Sequence, residues 1–584
     1  MKEYSTDKVY NICFAGQRGC GKTSIADASA FCAGVNNRIG KVDDGSSILD
    51  YNEDEISRKT TISSKLLAIE WNKVKINILD CPGHTDFIGE LQSCLKVVET
   101  VGIVINAASG VEIGTQLHWK EIDKARTPRF FFVNKMENEN VKWLTNLNSI
   151  KQTFGKQAVA VQIPMGEGTS FKGIIDLLHM KAYSFDSDGN RKEVDIPADL
   201  KDQVQTEREN LIEVAAEAND DLLEKFFENG TLEDADVVKG LKEGIISCKV
   251  FPVLFGSAHI NIGIKVLLDF IVEYLPSSNQ LDGITAVSTD TDDKVELTYD
   301  TSAKPLGFVY KITSEGHLGD LSFIKGCSGI IKPGVELTNQ QTKSTERIGQ
   351  IYSFQGKNRI EISSLHAGDI GVFVKLKDTH VGNSLSDPKL SVFIPPVEHT
   401  NPVMDVAIKA KSKGDEEKIS IGFHKLNEED PTFRLVSDPA LKQQVLYGQG
   451  PTHIDVLVEK LKNRYGVEVE LKKPKIPYRE TIKGKTEKQY KHKKQSGGRG
   501  QYGDVYLRIE PNKRSSGFEF INIIKGGVIP SKYIPAVEKG VIESMQSGGL
   551  AGSQVVDVKV SLYYGSYHDV DSSDMAFKIA GLMA

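Results

Sequence analysis

The feature that most constrains this chain lies within its first thirty residues. Val9-Tyr10-Asn11-Ile12-Cys13-Phe14-Ala15 is a short apolar run of β type, and Gly16-Gln17-Arg18-Gly19-Cys20-Gly21-Lys22-Thr23 follows without a gap. A helical pattern, Ser24-Ile25-Ala26-Asp27-Ala28, comes next. Strand, glycine-rich turn ending in Lys-Thr, then helix is the setting of a phosphate-binding loop. Glycines let backbone N–H groups close around phosphate oxygens, and the helix N-terminus adds a positive dipole end. In that arrangement residues Gly16 to Gly21 cradle the phosphates, Lys22 reaches the β- and γ-phosphates, and the Thr23 hydroxyl binds Mg²⁺.

Three further strand ends carry candidate nucleotide contacts. Lys75-Ile76-Asn77-Ile78-Leu79 is an apolar strand that runs into Asp80-Cys81-Pro82-Gly83-His84. An acid at a strand's carboxyl end, in a phosphate-loop protein, suits Mg²⁺, and Gly83 offers an unhindered N–H to a γ-phosphate. Cys81 and Pro82 complete that loop. His84 then stands where an attacking water is oriented, a task that falls to Gln in related switches. Arg129-Phe130-Phe131-Phe132-Val133 ends in Asn134-Lys135-Met136-Glu137. Here Asn134 and the Glu137 carboxylate read a guanine edge, the acid accepting from the N1–H and 2-amino donors. Val250-Phe251-Pro252-Val253-Leu254-Phe255 ends in Gly256-Ser257-Ala258, a small turn able to pack under a base. Four contacts at four successive strand ends describe a doubly wound α/β sheet with its ligand at the carboxyl edge.

With 584 residues the chain is too long for one core, so several domains are expected. No apolar run is long enough to span a bilayer, and residues 1–8 hold no apolar signal segment. The seven cysteines are scattered and form no metal-ligand pair, so they read as reduced thiols of a cytoplasmic protein. Because 79 acidic residues outnumber 72 basic ones, any nucleic-acid contact must come from a local patch.

The residues resemble those of the translational GTPases. Asp50-Tyr51-Asn52-Glu53-Asp54-Glu55-Ile56-Ser57-Arg58-Lys59-Thr60-Thr61-Ile62 looks like their first switch, and Asp80-Cys81-Pro82-Gly83-His84-Thr85-Asp86-Phe87 like their second. The resemblance implies that Thr61 closes over Mg²⁺ when a γ-phosphate is present and that His84 is catalytic. Within that superfamily the sequence is similar to the elongation factor G family almost end to end. The implied architecture is a GTPase domain over 1–280 with a helical insertion at about 158–249, then a β-barrel over 281–398. Two α+β domains follow, a third over 399–473 and a fourth over 474–584. The helical stretch at 208–217 within the insertion is equally an ordinary amphipathic surface helix. The family continues past this point, and the resemblance implies a fourth domain incomplete at its C-terminus and a fifth expected to be absent.

The later regions fit that plan. A polar segment at 288–293 reads as a linker, and short β-type runs alternate with turns between residues 305 and 387. Gly448-Gln449-Gly450-Pro451-Thr452-His453-Ile454-Asp455 resembles the third-domain signature, with Pro451 where the family has an acid. Between Lys472 and Arg499 eleven lysines and arginines face two glutamates. On composition this is a solvated basic hairpin. The resemblance makes its end, Gln495-Ser496-Gly497-Gly498-Arg499-Gly500-Gln501-Tyr502-Gly503, one of two tip loops that enter the decoding site. The other is Gly565-Ser566-Tyr567-His568-Asp569-Val570-Asp571-Ser572-Ser573. Lys491, Lys493, Lys494, Arg499, Gln501 and His568 are then the candidate contacts to ribosomal RNA and to tRNA–mRNA.

Four positions depart from the family. Gly19 stands for an aspartate, Arg18 and Thr60 for two aliphatic residues that gate the catalytic histidine, and Glu137 for an aspartate. The implied function is that of a monomeric, GTP- and Mg²⁺-dependent factor, without a membrane partner, that promotes movement of tRNA and mRNA on the ribosome. Two alternatives stay open: a ribosomal protection factor releasing a tetracycline-type antibiotic, and a P-loop kinase or ATPase. Asn134-Lys135 and the downstream β region argue against the kinase.

Overall fold

In the computed structural model the described residues are 2–281, 283–315, 319–412, 414–439, 441–495 and 500–584. They divide into two compact units, residues 1–437 with 444–472, and residues 438–443 with 473–584. No described helix is long and apolar enough to cross a membrane.

The first unit is built on a twisted sheet whose strands are buried along nearly their whole length. In chain order these are β1 (Val9–Ala15), β2 (Lys65–Trp71), β3 (Val74–Asp80), β4 (Thr100–Asn106), β5 (Arg129–Asn134), β6 (Ala158–Ala160) and, later, Phe251–Phe255. The spatial order is β2-β3-β1-β4-β5, then Phe251–Phe255, then β6. All neighbours run parallel except β2 against β3. Helices α1 (Lys22–Cys32), α2 (Glu53–Arg58), α3 (Ile88–Leu95), α4 (Ile113–Lys124) and α5 (Trp143–Phe154) connect them. Parallel strands covered on both faces read as continuous apolar runs, and all seven residues of β1 and of β3 are buried.

The polar exceptions in those strands have a shared cause. Asn11 Nδ2 donates to Glu99 Oε2 at 2.7 Å, and Asn77 Nδ2 donates to Asp369 Oδ1 at 2.9 Å. Lys325 Nζ reaches Glu99 Oε1 at 2.6 Å. These buried groups tie the parallel sheet to an antiparallel β domain, and each donor finds an acceptor, as burial of polar groups favours.

The region expected as a helical insertion is only partly helical. Residues 158–160 belong to the core sheet as β6, paired with Phe251–Phe255. A four-stranded antiparallel sheet follows, β7 (Gln162–Met165), β8 (Gly173–Asp176), β9 (Lys181–Phe185) and β10 (Arg191–Val194). Only then come α6 (Lys201–Ala216), α7 (Asp220–Asn229) and α8 (Asp234–Ile246), after which β11 (Phe251–Phe255) and α9 (Ile264–Tyr274) complete the domain.

The segment 288–293, read as a linker, is the turn of a hairpin between Ile284–Ser288 and Lys294–Leu297. Ser288 Oγ accepts from the backbone of Asp290 and Thr291, the local bonding that favours Ser in turns. The antiparallel β domain follows, its strands packed around Val309, Ile324, Ile351, Phe373 and Leu385. Next, Met404–Ala410 lies between Gln443–Gly448 and Val469–Lys472, covered by α10 (Glu416–Glu429) and α11 (Pro451–Tyr465).

The second unit is a four-stranded sheet in the order Thr486–Lys494, Gln501–Pro511, Val558–Ser566, Phe518–Asn522. Helices α12 (Ile534–Ser547) and α13 (Asp574–Met583) bury Val537, Val541, Phe577 and Ala580 against it.

Candidate functional site

The turn after β1 adopts backbone conformations that glycine favours. Gly16, Gly19 and Gly21 have φ of 132°, 80° and 96°. A Cβ on Gly16 would lie 2.4 Å from the Val104 carbonyl oxygen, and one on Gly21 would lie 2.2 Å from Asn134 Nδ2. The loop is therefore seated against β4 and β5 as well as leading into α1. Lys22 Nζ folds back to donate to the carbonyls of Gly16 (3.0 Å) and Gln17 (3.1 Å), and Cys20 packs inward.

At the carboxyl end of β3 the acids and hydroxyls converge. Thr23 Oγ1 donates to Asp80 Oδ2 at 2.7 Å and lies 3.0 Å from Thr61 Oγ1, while Thr61 Oγ1 donates to Asp50 Oδ1 at 2.9 Å. Asp50 was not singled out from the sequence. Burial, with the neighbouring Asp80, pushes the Asp50 carboxyl up to about 8. Burial likewise raises Asp80 to about 7, against the lowering effect of Thr23. Asp80 Oδ1 and Asp50 Oδ2 are buried with no hydrogen-bond partner. Two hydroxyls and two acids with free buried oxygens fit a hard divalent cation of the Mg²⁺ kind, which takes few protein ligands and completes its shell with phosphate oxygens and water.

The base-side loops are joined through one side chain. Asn134 is buried, its Nδ2 donating to the Cys20 carbonyl at 3.0 Å and its Oδ1 accepting from Ala258 N at 3.0 Å. Asn134 thus locks the phosphate loop to the 256–258 turn. Ser257 and Ala258 are buried, Met136 N donates to the Gly256 carbonyl, and Gly256 has no room for a Cβ against Phe132 and Ile262. Glu137 Oε2 is buried and without a partner. It is an acceptor of the kind a guanine N1–H and 2-amino group requires.

A cavity of about 160 Å³ opens on the phosphate side of this arrangement, lined by Arg18, Gly19, Lys22, Thr23, Asp50, Lys59, Thr61, Gly83 and Lys135. Cys81 and Pro82 lie buried behind Gly83. Arg18 Nη2 donates to the Arg58 carbonyl at 3.4 Å, and Arg58 pairs with Glu459 of α11 at 2.7 Å. His84 faces α11 as well: its Nδ1 accepts from Asp86 N, and its Nε2 lies 3.3 Å from Thr452 Oγ1. His453 N donates to Asp86 Oδ2 at 3.2 Å. Thr452 was missed in the sequence because 368 residues separate it from His84.

In the second unit, Lys491, Lys493 and Lys494 are exposed on Thr486–Lys494, with Lys491 over the Tyr502 ring. Gln501 is exposed and bonded to His492 at 2.9 Å. Arg499 lies outside the described residues. His568 is half exposed, and its Nδ1 accepts from the backbone of Val570 and Asp571. Gly500 N donates to Asp571 Oδ1 at 2.9 Å and Tyr502 N to the Asp571 carbonyl, so Gly500 and Tyr502 abut the His568 loop.

Comparison with known proteins agrees along the chain. Residues 7–277 match the model of the elongation factor Tu GTP binding domain, and 304–387 that of elongation factor G domain 2. Residues 400–473 match elongation factor G domain III, and 474–584 elongation factor G domain IV. A crystal structure of a protein from Thermus thermophilus is similar with a TM-score of 0.87 and 32% identity, covering 99% of this chain and 84% of that one. The chain belongs to the elongation factor G family of translational GTPases.

Proposed function

We propose that the protein is a cytoplasmic, monomeric GTPase that engages the ribosome and promotes movement of tRNA and mRNA, coupled to GTP binding and hydrolysis. The observation that carries this reading is the double hold on the switches. Thr61 is drawn to Thr23 and Asp50 on the nucleotide side, while Arg58, His84 and Asp86 are held by α11 on the other. A change at the γ-phosphate would therefore be felt at once by the third domain.

The geometry supports the following roles. Lys22 would exchange the Gly16 and Gln17 carbonyls for phosphate oxygens, and Gly83 N–H would donate to the γ-phosphate. Glu137 would accept from the guanine edge, with Ser257 and Ala258 under the ring. Thr23, Thr61 and Asp80 would hold Mg²⁺, which supplies charge stabilisation to the transferring phosphoryl group. His84 would orient the attacking water. Lys491, Lys493, Lys494, Gln501 and His568, with Arg499, would meet RNA.

The test is translocation of a ribosome-bound peptidyl-tRNA. The parent should move tRNA in a GTP-dependent way, and His568→Ala should slow that movement while leaving ribosome affinity and GTP turnover nearly unchanged. Parent-rate movement by His568→Ala removes the loop from translocation. Release of a tetracycline-type antibiotic without tRNA movement would favour the protection factor.

A further inference from the structure

We propose that Thr452 is a positioning residue: it parks His84 outside the nucleotide cavity and so sets the rate at which the ribosome-free protein hydrolyses GTP. The proposal rests on the reading of His84 as the water-orienting group.

Both ring nitrogens of His84 are engaged. Nδ1 lies 3.3 Å from Asp86 N and 3.5 Å from Asp86 Oδ1, and Nε2 lies 3.3 Å from Thr452 Oγ1, within reach of a hydrogen bond to that hydroxyl. Among the described residues the cavity is lined by Gly83 but not by its neighbour His84. The imidazole is thus turned toward the third domain.

What holds Thr452 in place is rigid. It sits in the first turn of α11, next to His453, which is buried and bonded on both sides, to Gln449 N at 3.1 Å and to Asp430 Oδ2 at 2.9 Å. The same turn grips the switch a second time, through His453 N to Asp86 Oδ2. Gly450 closes the clamp, since a Cβ there would lie 2.4 Å from Asp86 Oδ1. Backbone and carboxylate therefore fix the loop, and the Thr452 hydroxyl adds the one increment that acts on the imidazole itself. Hydrolysis joins the water oxygen to the γ-phosphorus as the bond to the β–γ bridging oxygen breaks, giving GDP and phosphate and releasing the water proton to solvent. For His84 to orient that water, its bond to Thr452 must first open.

The experiment is single-turnover GTP hydrolysis by the full chain, with and without saturating ribosomes. Thr452→Val removes the hydroxyl and keeps the shape. It should raise the ribosome-free rate about fivefold, the effect of one net hydrogen bond. Thr452→Ser should restore the parent rate, and the affinity for GTP and the ribosome-saturated rate should not move. An unchanged or slower Thr452→Val rate overturns the proposal, as does a Thr452→Ser variant as fast as Thr452→Val. In the His84→Ala background the acceleration should vanish, and acceleration that survives there also overturns it. If His84→Ala leaves hydrolysis at the parent rate even on ribosomes, the reading of His84 fails instead. Where free hydrolysis is too slow to time, ring ¹⁵N resonances of His84 provide the second readout. They should shift in Thr452→Val and not in Thr452→Ser, and an unmoved Thr452→Val ring overturns the latch.

Discussion

Lys75 Nζ lies 2.8 Å from both carboxylate oxygens of Asp369, and both side chains are nearly or fully withdrawn from solvent. Lys75 stands on β3, the strand that ends in Asp80, and Asp369 belongs to the antiparallel β domain. The pair joins the strand that carries the second switch to the neighbouring domain. Removing one partner of a buried pair strands the other charge and costs about 3–5 kcal/mol. Asp369→Leu should lower unfolding stability by that order, and Lys75→Met with Asp369→Leu should recover a large part of it. Urea unfolding of the parent, both single variants and the double variant is the check, and additive losses in the double variant would show that the two charges do not depend on each other.

The orphaned Glu137 oxygen predicts guanine selectivity despite the extra methylene of glutamate. GDP should bind more tightly than ADP, and Glu137→Ala should cost GDP about 1–3 kcal/mol with little effect on ADP. Calorimetric titration of both nucleotides decides this. Comparable GDP and ADP affinities in the parent would remove Glu137 from base recognition.

His118 on α4 accepts from Gly16 N at 2.9 Å through Nδ1, and its Nε2 is buried without a partner. Burial, with the charge of Lys22, brings its pKa down to about 3. An unfolded histidine titrates near ~6.5. As pH falls below that value the unfolded chain takes up a proton that the folded chain refuses, so stability is lost between the two pKa values. The loss should reach about 2 kcal/mol by pH 5. His118→Val should lose less stability than the parent between pH 7 and pH 5, although the Gly16 contact makes it weaker at pH 7. Thermal unfolding at the two pH values tests this, and identical pH dependence in both proteins would contradict it.

The exposed Lys491, Lys493 and Lys494 predict a salt-sensitive ribosome affinity. Each lysine that meets a phosphate releases counterion, so each Lys→Ala change should reduce the slope of log affinity against log salt by roughly 0.7–0.9. Filter binding to ribosomes over a range of salt concentrations measures the slope. Variants that weaken binding without flattening it would place these lysines off the RNA.

The parts of the site that could be read from the sequence are those whose signals are contiguous. Gly16 to Thr23 carries strand, turn and helix within thirty residues, and Asp80 to Gly83 follows an unbroken apolar strand. Asp50 and Thr452 gave no such signal, because each gains its meaning from a partner brought close only by tertiary folding. His118 carries no signal of its own in the sequence, because the Gly16 N–H that donates to it lies 102 residues away. The hairpin turn at 288–293 reads in sequence as a linker, since Asp, Ser and Thr suit both and its flanking strands are only five and four residues long. Asn134 illustrates a subtler limit. Its place at a strand end was legible, but its hold on Cys20 and Ala258 required the packed loops to be seen.

The most direct test of the account is phosphate release from GTP by the parent and by His84→Ala, each with and without ribosomes. The parent should release phosphate slowly alone and much faster on ribosomes. His84→Ala should bind GTP normally and lose on the order of 10²-fold or more of the stimulated rate. Parent turnover that ribosomes do not stimulate, or a His84→Ala variant that turns over at the parent rate on them, would contradict a ribosome-triggered GTPase centred on His84.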